Sequence, residues 1–217
     1  MIRPGEPWGK PAEAGPDLTI TGSDADLAAA VAQNPGRLIR YSAESGSDLA
    51  RAIGTDRGAD GGLDVPFDAL RLDGEGEWAV NMVVVGTPPD RLGRFSRRFG
   101  TAVAVDGREI VQRAITTLVV ATGEFLRGHD VVPRGHPGDG RAEIQAYAVD
   151  PGERRALRSR LQTGTHVPHP AIRQATARSS VVCSFEHRVP VEIDGRPSAP
   201  AAHLAITVVP AAYRLLL

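Results

Sequence analysis

Apolar positions along this chain fall into short runs, and their period changes part-way through. Leu18 and Ile20 alternate with threonine and lead into Thr21-Gly22, which reads as a short strand. Residues 24–33 follow as a helix: Ser23 or Asp24 can cap it, Asp26 lies in its first turn, and alanines favour it. Asn34-Pro35-Gly36 stops it, and residues 37–41 read as a second strand. A polar loop, Ser42-Ala43-Glu44-Ser45-Gly46, then feeds a helix from about 47 to 53 that Gly54 ends. This strand–helix–strand–helix module covers only about 55 residues, too few for a complete doubly wound domain.

Beyond it the pattern turns to strands. Residues 67–72 and 78–86 are strand candidates joined by Asp73-Gly74-Glu75-Gly76. Residues 101–105 and 109–112 flank Asp106-Gly107-Arg108, and Asp-Gly between two such runs is a strong hairpin signal. Residues 115–121 form a continuous apolar run, the pattern of a strand buried on both faces. Residues 143–149, 179–185, 189–193 and 204–209 add four further strands. Residues 151–161 read as one helix, with Pro151 near its start and Arg154, Arg155, Arg158 and Arg160 on a solvated face. Strands at this density predict a two-sheet sandwich. The expected organisation is an extended arm (1–16), a small truncated α/β nucleotide-type subdomain (17–62) and a mostly antiparallel β-sandwich domain (63–217).

Composition narrows the function classes. Apolar residues make up 41% of 217 and aromatics 5%, so the core is built from Val, Leu, Ile and Ala. A net charge of −1 gives no overall electrostatic footprint for nucleic acid. Cys183 lies in an apolar run and reads as a buried core thiol in a reducing compartment. No run approaches the roughly 20 apolar residues of a membrane span, and residues 1–16 are polar, so the expected location is the cytoplasm.

In order and spacing these segments resemble the bacterial diacylglycerol-kinase-like lipid kinases, within the superfamily shared with NAD kinases. That family carries a Gly-Gly-Asp-Gly-Thr loop, a second loop reading Pro-x-Gly-Thr-x-Asn-Asp-Phe-Ala-Arg, and a β-sandwich with an Asp-Gly-x-Leu-Asp segment and a late Asp-Gly-Glu turn. Asp48-Leu49-Ala50-Arg51 falls on Asp-Phe-Ala-Arg, with Ser47 in the Asn place, Ser45 in the Thr place, and Ser42 and Glu44 where Pro and Gly are expected. Gly22-Ser23-Asp24-Ala25-Asp26 takes the place of the first loop and keeps one glycine and the aspartate. Asp139-Gly140-Arg141-Ala142-Glu143 lies on Asp-Gly-x-Leu-Asp, and Asp194-Gly195-Arg196 on Asp-Gly-Glu. The resemblance covers about residues 18–217, and the region before the second loop is about 40 residues where the family has about a hundred.

The resemblance implies Gly22, Asp24, Ser45, Gly46, Ser47 and Asp48 at a nucleotide, Asp139 and Glu143 at a metal, and Asp194 as the catalytic base. Read as residues alone, Asp139 and Asp194 suit tight Asp-Gly turns and Asp48 suits a helix start. Phosphoryl transfer needs backbone that closes on the phosphates and a cation to neutralise charge. Ser23 and Ala25 put side chains into that backbone, and Asp26 and Glu44 put negative charge beside it. One such like-charge contact at about 4 Å costs about 4 kcal/mol at an effective dielectric of about 20. Arg196 could pair with Asp194 and occupy it. His166 and His169 flank Pro168 and make a poor metal pair, and His129 and His136 are loop residues near the Asp139 turn. The series Arg91, Arg94, Arg97, Arg98 reads as a solvated helix face, with a phosphate or acidic-lipid patch as the alternative.

The leading expectation is therefore a diacylglycerol-kinase-like pseudoenzyme that binds a lipid-like or phosphate-bearing ligand between its subdomains. Two alternatives stand beside it: an active ATP-dependent lipid kinase using Mg and ATP, and a scaffold or regulatory subunit of a conventional kinase. No nucleic-acid partner and no transmembrane segment are expected; peripheral membrane contact and a homodimer remain open.

Overall fold

The computed structural model describes residues 7–54, 62–73 and 76–217. The turn expected at 73–76 lies partly outside the described residues, as do the start of the arm and the end of the first module. Fifteen strands and three α-helices are described. The first module is β2 (Leu18–Gly22), α1 (Asp24–Gln33), β3 (Leu38–Ala43) and α2 (Asp48–Ile53). Its strands pair in parallel, Leu18 opposite Ile39. Both helices are capped as their sequence dictates. Ser23 and Asp26 form a reciprocal capping box on α1, Ser47 accepts from Ala50 N–H, and Gly54 closes α2 in the left-handed region at φ 73°.

The remaining strands are β1 (Lys10–Pro11), β4 (Leu63–Leu72), β5 (Trp78–Ala79), β6 (Met82–Gly86), β7 (Phe99–Val105), β8 (Arg108–Ile115), β9 (Thr117–Ala121), β10 (Phe125–Leu126), β11 (His129–Asp130), β12 (Ala142–Tyr147), β13 (Ile172–Ala177), β14 (Ser180–Ile193) and β15 (Arg196–Leu216). Between β12 and β13 lies α3 (Arg154–Arg160), followed by a 3-10 turn at Leu161–Thr163. Two long strands organise the sandwich. The first half of β14 pairs with β7, its second half with β6, and β15 runs antiparallel beside both halves. A register shift between Ser184 and Val189 redirects β14 from one layer into the other. From β6 the sheet continues through β9 and β12 to β13. On its other side β15 pairs antiparallel with β4, and its end pairs in parallel with β3, so the first module joins the sandwich through backbone hydrogen bonds.

Three apolar clusters fill the spaces between layers. The largest lies inside the sandwich, with Val103, Val111 and Ile115 facing Leu118, Val120 and Ile144, and Cys183 is fully buried there. Burial pushes the Cys183 thiol up to about 12, which makes it inert. A second cluster puts Leu157 and Leu161 over the outer face of β6, β9 and β12. This explains the unbroken apolar runs Met82-Val83-Val84-Val85 and Leu118-Val119-Val120-Ala121: those strands are buried on both faces. The third joins Leu27, Val31 and Leu49 of the helices to Ile39, Phe67, Tyr213 and Leu215. Trp8 of the arm packs against Phe67 at a tilt of 54°, and Phe67 stacks on Tyr213.

Candidate functional site

The first module and the sandwich meet around a series of carboxylates. β2 ends at Gly22, whose φ of 147° is open mainly to glycine; a Cβ there would lie 2.6 Å from Asp26 Oδ2. The turn aims Asp24, the first residue of α1, away from its own helix. Asp24 Oδ2 accepts from the N–H of Asp48 (3.0 Å) and Leu49 (3.1 Å), and Oδ1 accepts from the hydroxyls of Ser47 and Tyr41. One buried carboxylate thus takes four donors and closes the start of α2. Asp48 turns the other way. Its carboxylate accepts from the N–H of Arg127 and of Gly128 (2.7 Å) in the two-residue loop between β10 and β11. Burial raises its pKa, those N–H groups oppose the rise, and Asp24 adds to it.

Asp194 and Gly195 form the tight turn between β14 and β15, with φ 46° and 79°. The Asp194 carboxylate sits over the break between β5 and β6. Oδ2 accepts from Val80 N–H (2.8 Å), and Oδ1 from Asn81 N–H (3.0 Å) and Met82 N–H (2.8 Å). A carboxylate has about four acceptor positions, so one on Oδ2 is left. Burial pushes Asp194 up to about 7, the three N–H groups oppose this, and the Asp24 carboxylate adds to it. The two aspartates therefore sense each other across the junction. Tyr41 and Tyr213 lie in the same field. Burial raises both phenols far above their ordinary range, Asp24 and Asp194 raise them further, and the buried Tyr213 hydroxyl has no hydrogen-bond partner.

The series continues on the far side of Tyr213. Asp68 is buried and accepts from Gly140 N–H (2.6 Å) and Ala211 N–H (2.9 Å), tying the Asp139 turn to a kink in β15. Asp139 itself accepts from Arg141 N–H, and Glu143 takes the Thr176 hydroxyl at 2.9 Å. Burial raises Glu143, Asp139 adds to the rise, and Arg134 and Arg141 oppose it. No cluster of three or more metal-type side chains occurs among the described residues. With two arginines beside the pair and both carboxylates already hydrogen-bonded, Asp139 and Glu143 fit a resident cation poorly.

The structure thus brings Gly22, Asp24, Ser47, Asp48 and Asp194 to one junction, with Asp139 and Glu143 at its far end. Ser45 and Gly46 occupy the exposed turn above it. Arg196 does not pair with Asp194. Its guanidinium reaches α1 instead, 2.9 Å from both Ser23 Oγ and Asp26 Oδ2, so the charge expected to repel a phosphate at Asp26 is partly neutralised. Asp26 is lowered by Ser23 first and by Arg196 after it. His166 is buried beside Tyr147 and pushed to about 4 by burial, and His169 accepts from Ala171 N–H, so neither faces a shared ligand. His136 stacks edge-on to Trp8, and His129 contacts the carbonyl of Arg127.

Four contributors were not predicted from the sequence: Tyr41, Tyr213, Asp68 and Arg127. Tyr41 could have been found, since it is the last apolar-type residue before the polar loop. Arg127 carries no local signal. It donates two bonds to Asp90, at 2.9 and 2.7 Å, and one to Glu192, joining segments far apart in sequence.

The position of Asp194 yields a pH expectation. Its folded-state value lies above the ordinary 3.8, so between about pH 4 and 7 the native chain keeps a proton that the unfolded chain has lost. Stability from this site is full below that window, declines as pH rises through it, and is level above it. Asp194→Asn is expected to flatten this decline by an amount on the order of 3 kcal/mol. Urea unfolding of both proteins at pH 5 and pH 8 checks it, because other raised carboxylates cancel in the difference; parallel pH profiles would refute it.

The parallel-stranded, helix-bearing module closed onto a β-sandwich is shared with solved kinases, and the sandwich half with a family model. Residues 91–217 match the model of the YegS C-terminal NAD kinase β-sandwich-like domain, and the chain belongs to that family. Among solved structures it is similar to a diacylglycerol kinase from Bacillus anthracis, at 16% identity and TM-score 0.73, covering 92% of this chain and 77% of that one. It is also similar to an NAD kinase from Archaeoglobus fulgidus in complex with ATP (12%, TM-score 0.53, 93% and 78%) and to yeast NADH kinase complexed with NADH (11%, 0.54, 92% and 61%). No curated protein matches the sequence. No helix among the described residues is long and apolar enough to cross a membrane.

Proposed function

We propose that this chain is a degenerate diacylglycerol-kinase-like protein that binds a lipid-like or phosphate-bearing ligand at the module–sandwich junction without efficient use of ATP. One observation carries this reading. The N–H groups at the start of α2, which an incoming phosphate would need, are already satisfied by the Asp24 carboxylate and the Ser47 hydroxyl. A phosphate would have to displace an anion that is bound within the fold and takes four donors. The poor fit of Asp139 and Glu143 to a resident cation supports the same reading, since a phosphoryl group needs its charge neutralised.

A second reading is favoured by Asp194. A carboxyl near pH 7 with one acceptor position open suits a general base toward a lipid hydroxyl, as in an ATP-dependent lipid kinase using Mg. The relatives named as acting on diacylglycerol or NAD make such a hydroxyl acceptor the natural one to test. Calorimetric titration with Mg-ATP separates the two. The degenerate reading expects no heat at millimolar nucleotide and no phosphate transfer to diacylglycerol. Micromolar binding, with transfer abolished by Asp194→Asn, would place the active kinase first.

A further inference from the structure

The loop between β6 and β7 is held stiffly and carries an aromatic ring into solvent. It leaves the sheet through a 3-10 turn at Pro89–Arg91, and Leu92 is anchored in the apolar cluster with Leu157 and Leu161. The buried guanidinium of Arg154 donates to the carbonyls of Val149, Gly93, Arg94 and Ser96, and Gly93 N–H donates to Ser96 Oγ. Arg98 ties the other end to Ala148 O and Asp150. On this braced turn Phe95 is 90% exposed, against 48% and 42% for Leu63 and Val182, the other exposed large apolar residues described. A ring presented by a loop with this many fixed backbone groups is not exposed through local slack.

The surroundings of that ring are basic. Arg91, Arg94, Arg97 and Arg98 come from the loop, and Arg155, Arg158 and Arg160 from α3; Arg154, expected on the same solvated face, is instead buried beneath the loop, where its guanidinium serves backbone carbonyls. The segment that reads as a helix face from its sequence is this turn. Between loop and helix runs a cleft of about 620 Å³ whose lining includes Arg94, Arg155 and Arg158. The acidic groups nearby are Asp90, Asp150 and Glu153. Asp90 is committed to Arg127 and Asp150 to Arg98. Among the described residues the side chains of Arg94, Arg97, Arg155, Arg158 and Arg160 form no ion pair or hydrogen bond. A chain of net charge −1 therefore gathers the unpaired arginines Arg94, Arg155 and Arg158 along one cleft, and the residue that follows Arg94 in the chain is the protruding Phe95.

We propose that this face docks the protein on an anionic phospholipid bilayer, with Phe95 entering the headgroup–acyl boundary and the arginines lying over lipid phosphates. Charge complementarity with one apolar wedge is the chemistry of interfacial binding. A protein interface is depleted of charge at its core, and a single nucleic-acid strand is met by a series of stacking rings; here the lone exposed ring sits among unpaired arginines. The proposal does not depend on whether nucleotide is used.

Sedimentation of the full chain with phosphatidylcholine vesicles, and with equimolar phosphatidylcholine and phosphatidylglycerol vesicles, tests it. Binding is expected to the anionic vesicles alone and to weaken as salt rises. Phe95→Ser is expected to lower the partition coefficient about tenfold while keeping the salt dependence. Arg94→Glu with Arg97→Glu is expected to lower it about a hundredfold and to reduce the salt dependence. Both changes are at exposed positions, so unfolding midpoints should match the parent. Equal binding to both vesicle types, no binding to either, or retention of an RNA homopolymer in place of vesicles would overturn the proposal.

Discussion

Replacing Arg127 with alanine is expected to destabilise the fold by about 3–4 kcal/mol at pH 7. The Arg127 side chain is 25% exposed, and the side chains it serves, Asp90 and Glu192, are 9% and 13% exposed. With Arg127 gone, two carboxylates stay largely buried and lose the cation that held both. Burial would by itself raise Asp90; the hydrogen bonds and charge of Arg127 outweigh it, and the net value is lowered. Asp90 therefore contributes stability above the ordinary carboxylate value of 3.8, and that contribution is lost as pH falls through its depressed value. In the variant Asp90 loses the cation that opposed its desolvation and protonates more readily, so the deficit against the parent should shrink as pH is lowered towards 4. Urea unfolding at a series of pH values reads both the size and the slope. A deficit under about 1 kcal/mol at pH 7 would mean that water replaces the guanidinium, as at an exposed pair.

The Arg127 network also shows where sequence reading stops. Whatever is set by neighbours in sequence could be read. Ser23, the alanines and Asn34-Pro35-Gly36 predict α1 at the bounds observed, and Asp106-Gly107 gives a two-residue hairpin with φ 49° and 77°. The fold class followed from the same signals. The long strands did not. Residues 189–193 and 179–185 are one strand, β14, interrupted in pairing by the shift after Ser184; buried positions keep the same phase on both sides, but the exposed run Glu186-His187-Arg188 between them carries no apolar signal. The first five residues of β15, Arg196-Pro197-Ser198-Ala199-Pro200, have no apolar period because they turn little towards the core. The run 115–121 is divided at Thr116, whose N–H and hydroxyl both reach Tyr147 O.

At the candidate site, Asp24, Asp48 and Asp194 were legible only because the resemblance pointed to their turns. What they bond to was not. Each carboxylate is satisfied by N–H groups of a different element: Asp24 by α2, Asp48 by the β10–β11 loop, Asp194 by the β5–β6 break. A sequence records the acid but not which backbone will arrive beside it. This is also why Arg196 was matched to Asp194, two residues away. A tight turn points neighbouring side chains apart, and the free partner was across the junction on α1.

That distinction makes Asp24 the second critical position. Asp24→Ala is expected to lower stability by about 3–4 kcal/mol, since it strands two helix-start N–H groups and the Ser47 hydroxyl at a buried position, while the Tyr41 hydroxyl keeps the Gly22 carbonyl as acceptor. Asp24→Asn should cost nearly as much. An amide can still accept from Ser47 and Tyr41 through its oxygen, but its NH₂ would then face the N–H groups of Asp48 and Leu49, donor against donor. Ser47→Ala, which removes one of those four bonds and the cap on Ala50 N–H, should cost about 1–2 kcal/mol. The pattern matters more than any single value. A carboxylate kept free for a nucleotide would tolerate asparagine, with a loss confined to ligand binding. One serving as the internal anion of α2 would lose stability in either variant, with or without ligand. Denaturant unfolding of the three variants, with and without Mg-ATP, decides between these roles. A stable Asp24→Asn protein whose midpoint rises with Mg-ATP in the parent alone would return Asp24 to the nucleotide.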